Sequence, residues 1–161
     1  MADFDKAIIK TLEHEGGATY TNDPHDPGRE TKYGISKRAH PNVDIKNLTE
    51  TEAKAIYKRD YWNPVRGDEI QSQLVAENIF DTAVNMGNRT ATKLVQMALE
   101  IEPVDGIMGP QTLGVINDSN EEIFILKYTI AKIARYAHIC NRRAESRKYL
   151  LGWINRTLGA M

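Results

Sequence analysis

Cysteine is almost absent: Cys140 is the only one in 161 residues. A lone thiol cannot close an internal disulfide and leaves no cysteine framework for zinc. The chain also lacks any 18-residue apolar run, and Met1-Ala2-Asp3-Phe4-Asp5-Lys6 is not the basic start and apolar stretch of an export signal, so neither a membrane span nor a signal peptide is expected. It has no glycine-rich phosphate loop and no nucleophile-elbow serine, which removes nucleotide and serine-hydrolase chemistry. Excess charge is missing too: the formal net charge is −1, arguing against a polyanionic partner such as nucleic acid. Four histidines remain as metal candidates. His14-Glu15 begins like a zinc-protease helix, but position 18 is alanine and Gly16 interrupts it, while His25, His40 and His138 are scattered. No metal and no cofactor are expected.

What is present is the composition of one packed domain: 41% hydrophobic and 27% charged residues, with 6 prolines and 11 glycines. Phe4, Ala7, Ile8, Thr11, Leu12 and Glu15 recur at the spacing of one helical face, and Gly16-Gly17 stops that helix. Residues 18–36 read as extended or hairpin structure. Helices are predicted over 49–62, opened by the capping box Thr49-x-x-Glu52, over 71–86, 89–101 and 110–117, over 120–143, and in a last short segment carrying Leu150, Leu151, Trp153 and Ile154. The expectation is a mainly α, helical bundle with one small β-hairpin after the first helix. It forms a single domain over 1–161, with lobes of about 1–102 and 103–161.

Glu15 is the residue on which chemistry could rest. It falls on the inward stripe at the C-terminal end of the first helix, where burial and the negative end of the helix dipole both favour a protonated carboxyl. A proton-bearing carboxyl is what a glycosidase needs to protonate its leaving oxygen. The alternative is a carboxylate that ties helix to hairpin through backbone hydrogen bonds.

Glu15-Gly16-Gly17, Asp23-Pro24-x-Asp26-Pro27-Gly28 and Thr31-x-Tyr33-Gly34-Ile35-Ser36 resemble the start of the glycoside hydrolase family 108 muramidases, found among phage endolysins and bacterial secretion activators. The likeness continues through Tyr61-Trp62, Phe80-Asp81-x-Ala83-Val84-Asn85-x-Gly87, Asp105-Gly106-x-x-Gly109-Pro110-x-Thr112 and Gly152-Trp153-x-Asn155-Arg156. The resemblance implies an α+β lysozyme-like fold. It also implies cleavage of the β-1,4 bond between N-acetylmuramic acid and N-acetylglucosamine in peptidoglycan, with Glu15 as acid. Asp26 and Thr31 follow in an order that looks like phage-type lysozymes, with Asp23 and Glu30 as rivals for the second carboxylate. Each of the pair also reads as scaffold, Asp26 as a turn residue and Thr31 as a cross-strand partner. Tyr33, Tyr61, Trp62 and Asn85 are candidates to line the glycan groove, and for each aromatic residue core packing is the competing role. The family places a peptidoglycan-binding segment at 105–112, which reads equally as a turn between packed helices. One position departs: the usual Gly-Gly is Gly28-Arg29 here, and a side chain there could demand a different turn. The expected setting is a monomeric endolysin made in a host cytoplasm and acting in the periplasm or cell wall after holin-type release. A non-hydrolytic peptidoglycan-binding or secretion-assisting protein is the alternative.

The near-zero charge conceals an asymmetry. From Lys127 onward eight Lys and Arg face one acid, Glu145. Arg135, Arg142, Arg143, Arg147 and Lys148 could form a stripe along one helical face that meets an anionic envelope surface, or be a solvated face.

Overall fold

The computed structural model describes residues 1–23 and 28–159. Helix α1 (Phe4–His14) opens on Asp3, whose side chain accepts from the Asp5 amide, and it buries Phe4, Ala7, Ile8, Thr11 and Leu12. It stops one residue before the predicted end. The Gly17 amide returns to the Leu12 carbonyl at 2.9 Å and the Gly16 amide to Glu13 at 3.4 Å, both glycines having positive φ. This is a Schellman closure, and it leaves Glu15 as the C-cap, outside the helical stripe.

The region after α1 is a three-stranded antiparallel sheet and not the single predicted hairpin: β1 (Thr21–Asn22), β2 (Glu30–Lys32) and β3 (Ile35–Ser36), in that spatial order. Thr31 pairs with Thr21 on one side and Ser36 on the other. The β2–β3 turn is Tyr33-Gly34, with φ of 52° and 73°. Two positive φ values define the hairpin turn whose twist matches the strands, and tyrosine in the first slot hides it from the usual Asn-Gly signal.

Helix α2 (Glu50–Tyr57) carries the expected capping box, the Thr49 amide meeting Glu52 Oε2 at 2.9 Å. It passes into a π-helical stretch, Lys58–Trp62, where a single α-helix was expected. After a 3₁₀ turn, Gly67–Glu69, come α3 (Gln73–Met86), α4 (Asn88–Ala98), α5 (Pro110–Asp118) and α6 (Glu121–Arg142). A 3₁₀ segment, Ala144–Tyr149, leads into α7 (Leu150–Leu158). Among the described residues no helix is long and apolar enough to cross a membrane.

The core centres on α3, which buries Val75, Ala76, Ile79, Phe80 and Ala83 and packs against α1, α4 and α6. Phe4, Trp62 and Phe80 meet edge to face, with centroids 5.6–5.9 Å apart. Each such buried ring contributes on the order of 2–3 kcal/mol through apolar burial. Trp62 is 0% exposed and its Nε1 donates to Asp68 at 2.8 Å, so it is a core residue and not a wall of any groove.

The Asp105-Gly106 loop is fastened to α4. Buried Gln96 donates to Asp105 Oδ1 at 2.8 Å and accepts from the Gly106 amide at 2.8 Å. Gln96 and the Ile107 amide hold the Asp105 carboxyl below the usual carboxylate range. The polar groups of this motif are thus engaged in joining α4 to α5.

Candidate active site

Glu15 lies where the end of α1 meets the β2–β3 turn, and the main chain fixes that meeting. The Tyr33 amide donates to the Gly17 carbonyl at 3.0 Å, and the Tyr57 hydroxyl donates to the Tyr33 carbonyl at 2.9 Å. Gly34 then passes so close that an added Cβ would sit 2.7 Å from the Glu15 Cβ and 2.5 Å from the Tyr57 hydroxyl. Only glycine fits here, both for space and for its positive φ.

The Glu15 carboxylate does not sit in an apolar pocket as expected from the stripe. Its side chain is 27% exposed and faces Arg156 of α7, whose Nη1 and Nη2 both lie 3.4 Å from Oε1. Arg156 is held more tightly by Asp81 of α3: Nη2 to Oδ1 is 2.8 Å and Nε to Oδ2 is 3.4 Å, a two-point contact between planar groups. Burial opposes the charge on Arg156, but Asp81 and then Glu15 outweigh it and keep the guanidinium protonated. The protein contacts of Glu15 converge on Oε1. Among the described residues, Oε2 has no hydrogen-bond partner.

Two tyrosines close the other side. Tyr57 is buried, and burial followed by the charge of Glu15 pushes its phenol well up. Half-buried Tyr61, 5.8 Å from the Tyr57 ring, is raised by burial, Asp60 and Glu15. Both feel the charge of the carboxylate.

The remaining candidates are distributed differently. Thr31 is at the centre of the sheet, half-buried between two strand partners. Asp26 lies outside the described residues. Glu30 is engaged by the Tyr20 hydroxyl at 2.8 Å, which makes it a poor rival. Tyr33 borders a cavity with Ile9, Leu12 and Lys54, and its backbone ties the turn to Gly17 and Tyr57. Asn85 stands one helical turn beyond Asp81 and donates to the Tyr136 hydroxyl at 2.9 Å. Arg29 has φ 58°, the left-handed region where glycine is at ease, so the side chain is accommodated at a cost on the order of 1 kcal/mol. Among the described residues no three His, Cys, Asp or Glu side chains converge as metal ligands.

Sequence reasoning missed Arg156, Asp81, Gly34 and Tyr57. The first three lie inside motifs already quoted, but nothing in a sequence pairs positions 75 or 141 residues apart.

A helical body, a small antiparallel sheet and an acid at their junction define a lysozyme-like protein. A solved structure of SagA from Brucella abortus shares this architecture, with a TM-score of 0.70 and 27% identity over 97% of this chain and 94% of that one. Residues 8–87 match the family model described as glycosyl hydrolase 108, and residues 82–158 match one described as "Predicted Peptidoglycan domain". No curated protein matches the chain. The chain belongs to the glycosyl hydrolase 108 family, and its association is with peptidoglycan.

Proposed function

We propose that this protein is an N-acetylmuramidase that cleaves the β-1,4 bond between N-acetylmuramic acid and N-acetylglucosamine, with Glu15 as the general acid. The observation that carries the reading is the one-sided hold on Glu15: Oε1 is fixed by Arg156 while Oε2 is left for the glycosidic oxygen. In this reading the carboxyl delivers a proton to the departing oxygen as positive charge develops on the sugar ring, and a water completes the hydrolysis. Asp26 and Thr31 are assigned to orienting that water or stabilising the ring. The two matched stretches act as one catalytic unit, since Glu15 belongs to the first and Arg156 to the second. An endolysin acting on the wall from within a host is the setting that suits such an enzyme.

A second reading is a peptidoglycan-binding protein without hydrolysis. The Glu15–Arg156 pair favours it, because a carboxylate so paired can serve to hold α7 against α1. Glu15→Gln separates the two. The amide keeps the shape but cannot deliver a proton, so a muramidase loses about 10²–10⁴-fold in peptidoglycan clearance at an unchanged melting temperature. Mass spectrometry of the wild-type products should show reducing-end muramic acid. Full clearance by Glu15→Gln would reject Glu15 as the acid, and absence of cleaved glycan from the wild type would favour the binding protein.

A further inference from the structure

Beyond Asp81 the structure carries a second recess, formed by α3, α4, α6 and α7. It is lined by Asn85, Thr90, Arg135, Tyr136 and Trp153 among others. A neighbouring cavity shares Thr90 and Arg135 with it and adds Arg89 and Lys93. Both helices that bound the acid lead into this recess. Asn85 follows Asp81 by one turn of α3, about 6 Å along the axis, and Trp153 precedes Arg156 by three residues of α7, about 4.5 Å.

The lining is chemically specific. Tyr136 and Trp153 are stacked, with centroids 5.0 Å apart and planes 22° from parallel, and Trp153 is partly exposed. Tyr149 also packs on the indole, with centroids 5.9 Å apart and planes 32° from parallel, and Tyr136 is buried, so the recess presents the partly exposed margin of Trp153, an amphipathic group that can meet a pyranose. The Asn85 amide is fixed through Nδ2 on the Tyr136 hydroxyl, which leaves its carbonyl oxygen able to accept from a hydroxyl or an acylamino N–H.

Charge sets the class of ligand. Arg135 is exposed, and neither it nor Lys93 takes part in any ion pair among the described residues. Arg89 spends one N–H on the Asp105 carbonyl. No acid among the described residues lines either cavity. Arg135 and Lys93, without an ion-pair partner among the described residues, and Arg89, whose charge is shared with Asp105, favour carboxylates and disfavour cationic groups.

We propose that this recess is a distal subsite for an N-acetylated sugar bearing a carboxylate, with Trp153 and Asn85 receiving the sugar and Arg135, Arg89 and Lys93 its acidic substituents. The inference rests on the muramidase reading in that the same strand runs on to Glu15. The subsite selects muramyl over plain glucosaminyl units, which sets the register of the strand relative to the acid.

The test is binding to Glu15→Gln protein, read by tryptophan fluorescence. Trp62 is 0% exposed, so a ligand-sensitive signal comes from Trp153. Titration with a tetrasaccharide of alternating N-acetylglucosamine and N-acetylmuramic acid should perturb the emission at about tenfold or more lower concentration than neutral chitotetraose does, the range expected for charge-assisted hydrogen bonds. Arg135→Gln should abolish most of that preference while chitotetraose affinity is kept, and Lys93→Gln should reduce it further. Equal affinity for the two sugars, an unchanged preference in Arg135→Gln, or binding without any change in emission would each overturn the proposal. The readout does not require the bond to be cut. A wild-type protein that fails to cleave but passes this titration would reject the muramidase reading and leave the subsite standing.

Discussion

Arg156 meets Glu15 with two 3.4 Å contacts while Asp81 holds the same guanidinium at 2.8 Å. The shorter bond means that Asp81 anchors Arg156 and Glu15 takes what remains. A helix near the C-terminus thereby sets the rotamer of a residue at the end of the first helix. All three side chains are 22–27% exposed, a setting in which charged hydrogen bonds are worth more than on an open surface.

Arg156→Ala therefore removes the guide for Glu15 and strands Asp81. We expect peptidoglycan clearance to fall about 10–100-fold, as when a reacting group is misplaced, with a stability loss of about 1–3 kcal/mol from the unpaired carboxylate. Arg156→Lys should recover stability better than activity, because an ammonium cannot reproduce the planar two-point contact with Asp81 while also reaching Glu15. Urea unfolding and clearance rates on the same samples decide this. If both variants lose activity only in proportion to folded fraction, Arg156 is a structural tie.

Gly34→Ala tests the contact between sheet and acid. A methyl would press on the Glu15 stem and the Tyr57 hydroxyl at a backbone φ of 73°, so the turn must shift. Left-handed backbone costs about 1–2 kcal/mol for a residue with a Cβ, and the steric clash adds to it. The expected result is a lower melting temperature together with a loss of clearance larger than unfolding explains. An enzyme with near-normal activity at temperatures where it is folded would show that the acid tolerates movement of this turn.

Much of this fold is legible in the sequence, for identifiable reasons. Helices α1 to α7 follow from apolar spacing, and their ends from local chemistry: Thr49 with Glu52, Gly16 with Gly17, Pro110 after Gly109. Each signal lies within a few residues of its effect. The sheet was only half visible, because Tyr33 occupies a turn position that usually announces itself with asparagine. For Trp62 groove lining and core packing were both open from the sequence, and edge-on packing with Phe4 and Phe80 decides for the core. In the site, Glu15 was singled out by helix period and motif together, but the helix closes one residue earlier and leaves it at the C-cap, so the motif and not the period leads to its position. Arg156 and Asp81 were not singled out, since their pairing is produced by the packing of α7 and α3 and has no local signature.

Lys132 gives a pH test of the interior. It is 3% exposed, its ammonium donates to Asn78 Oδ1 at 3.1 Å and lies 5.2 Å from the Tyr128 ring centroid. Burial pushes it down to about 8, Asp81 opposes the shift and Arg156 adds to it. In the unfolded chain a lysine holds its proton to about 10.4, so above pH 8 the unfolded state binds more protons and stability rises with pH. Between pH 8 and 9.5 the gain should be about 1–2 kcal/mol. Above pH 10 the buried tyrosines, Tyr57, Tyr128 and Tyr136, act in the other direction because burial raises them. Urea midpoints over this range should rise in the wild type and lose that slope in Lys132→Met. A flat wild-type profile would mean that the buried amine keeps its proton through pH 9.5, as it does in the unfolded chain.

The basic C-terminal region makes a prediction that the structure narrows. Lys132 is buried and Arg156 is engaged by acids, so neither adds to a surface stripe. The continuous helical face expected from the sequence is also interrupted: α6 ends at Arg142, and Arg147 and Lys148 project from the 3₁₀ segment. Arg142, Arg143, Arg147 and Lys148 are nonetheless all exposed, and none forms an ion pair with an acid among the described residues. No acid of the described residues pairs with them, and the prediction is that the group meets an anionic envelope. Salt separates such attraction from contacts within the protein, because the screening length falls from ~10 Å at 0.1 M to ~3 Å at 1 M. Adhesion of Glu15→Gln protein to intact envelopes should therefore drop steeply over that range. Carrying Arg142→Glu with Arg143→Glu should weaken it at low salt and flatten the salt dependence, while cleavage of small soluble glycans by the same double substitution in active enzyme stays unchanged. Adhesion that is equally strong with both charges reversed would assign these residues to solvation alone.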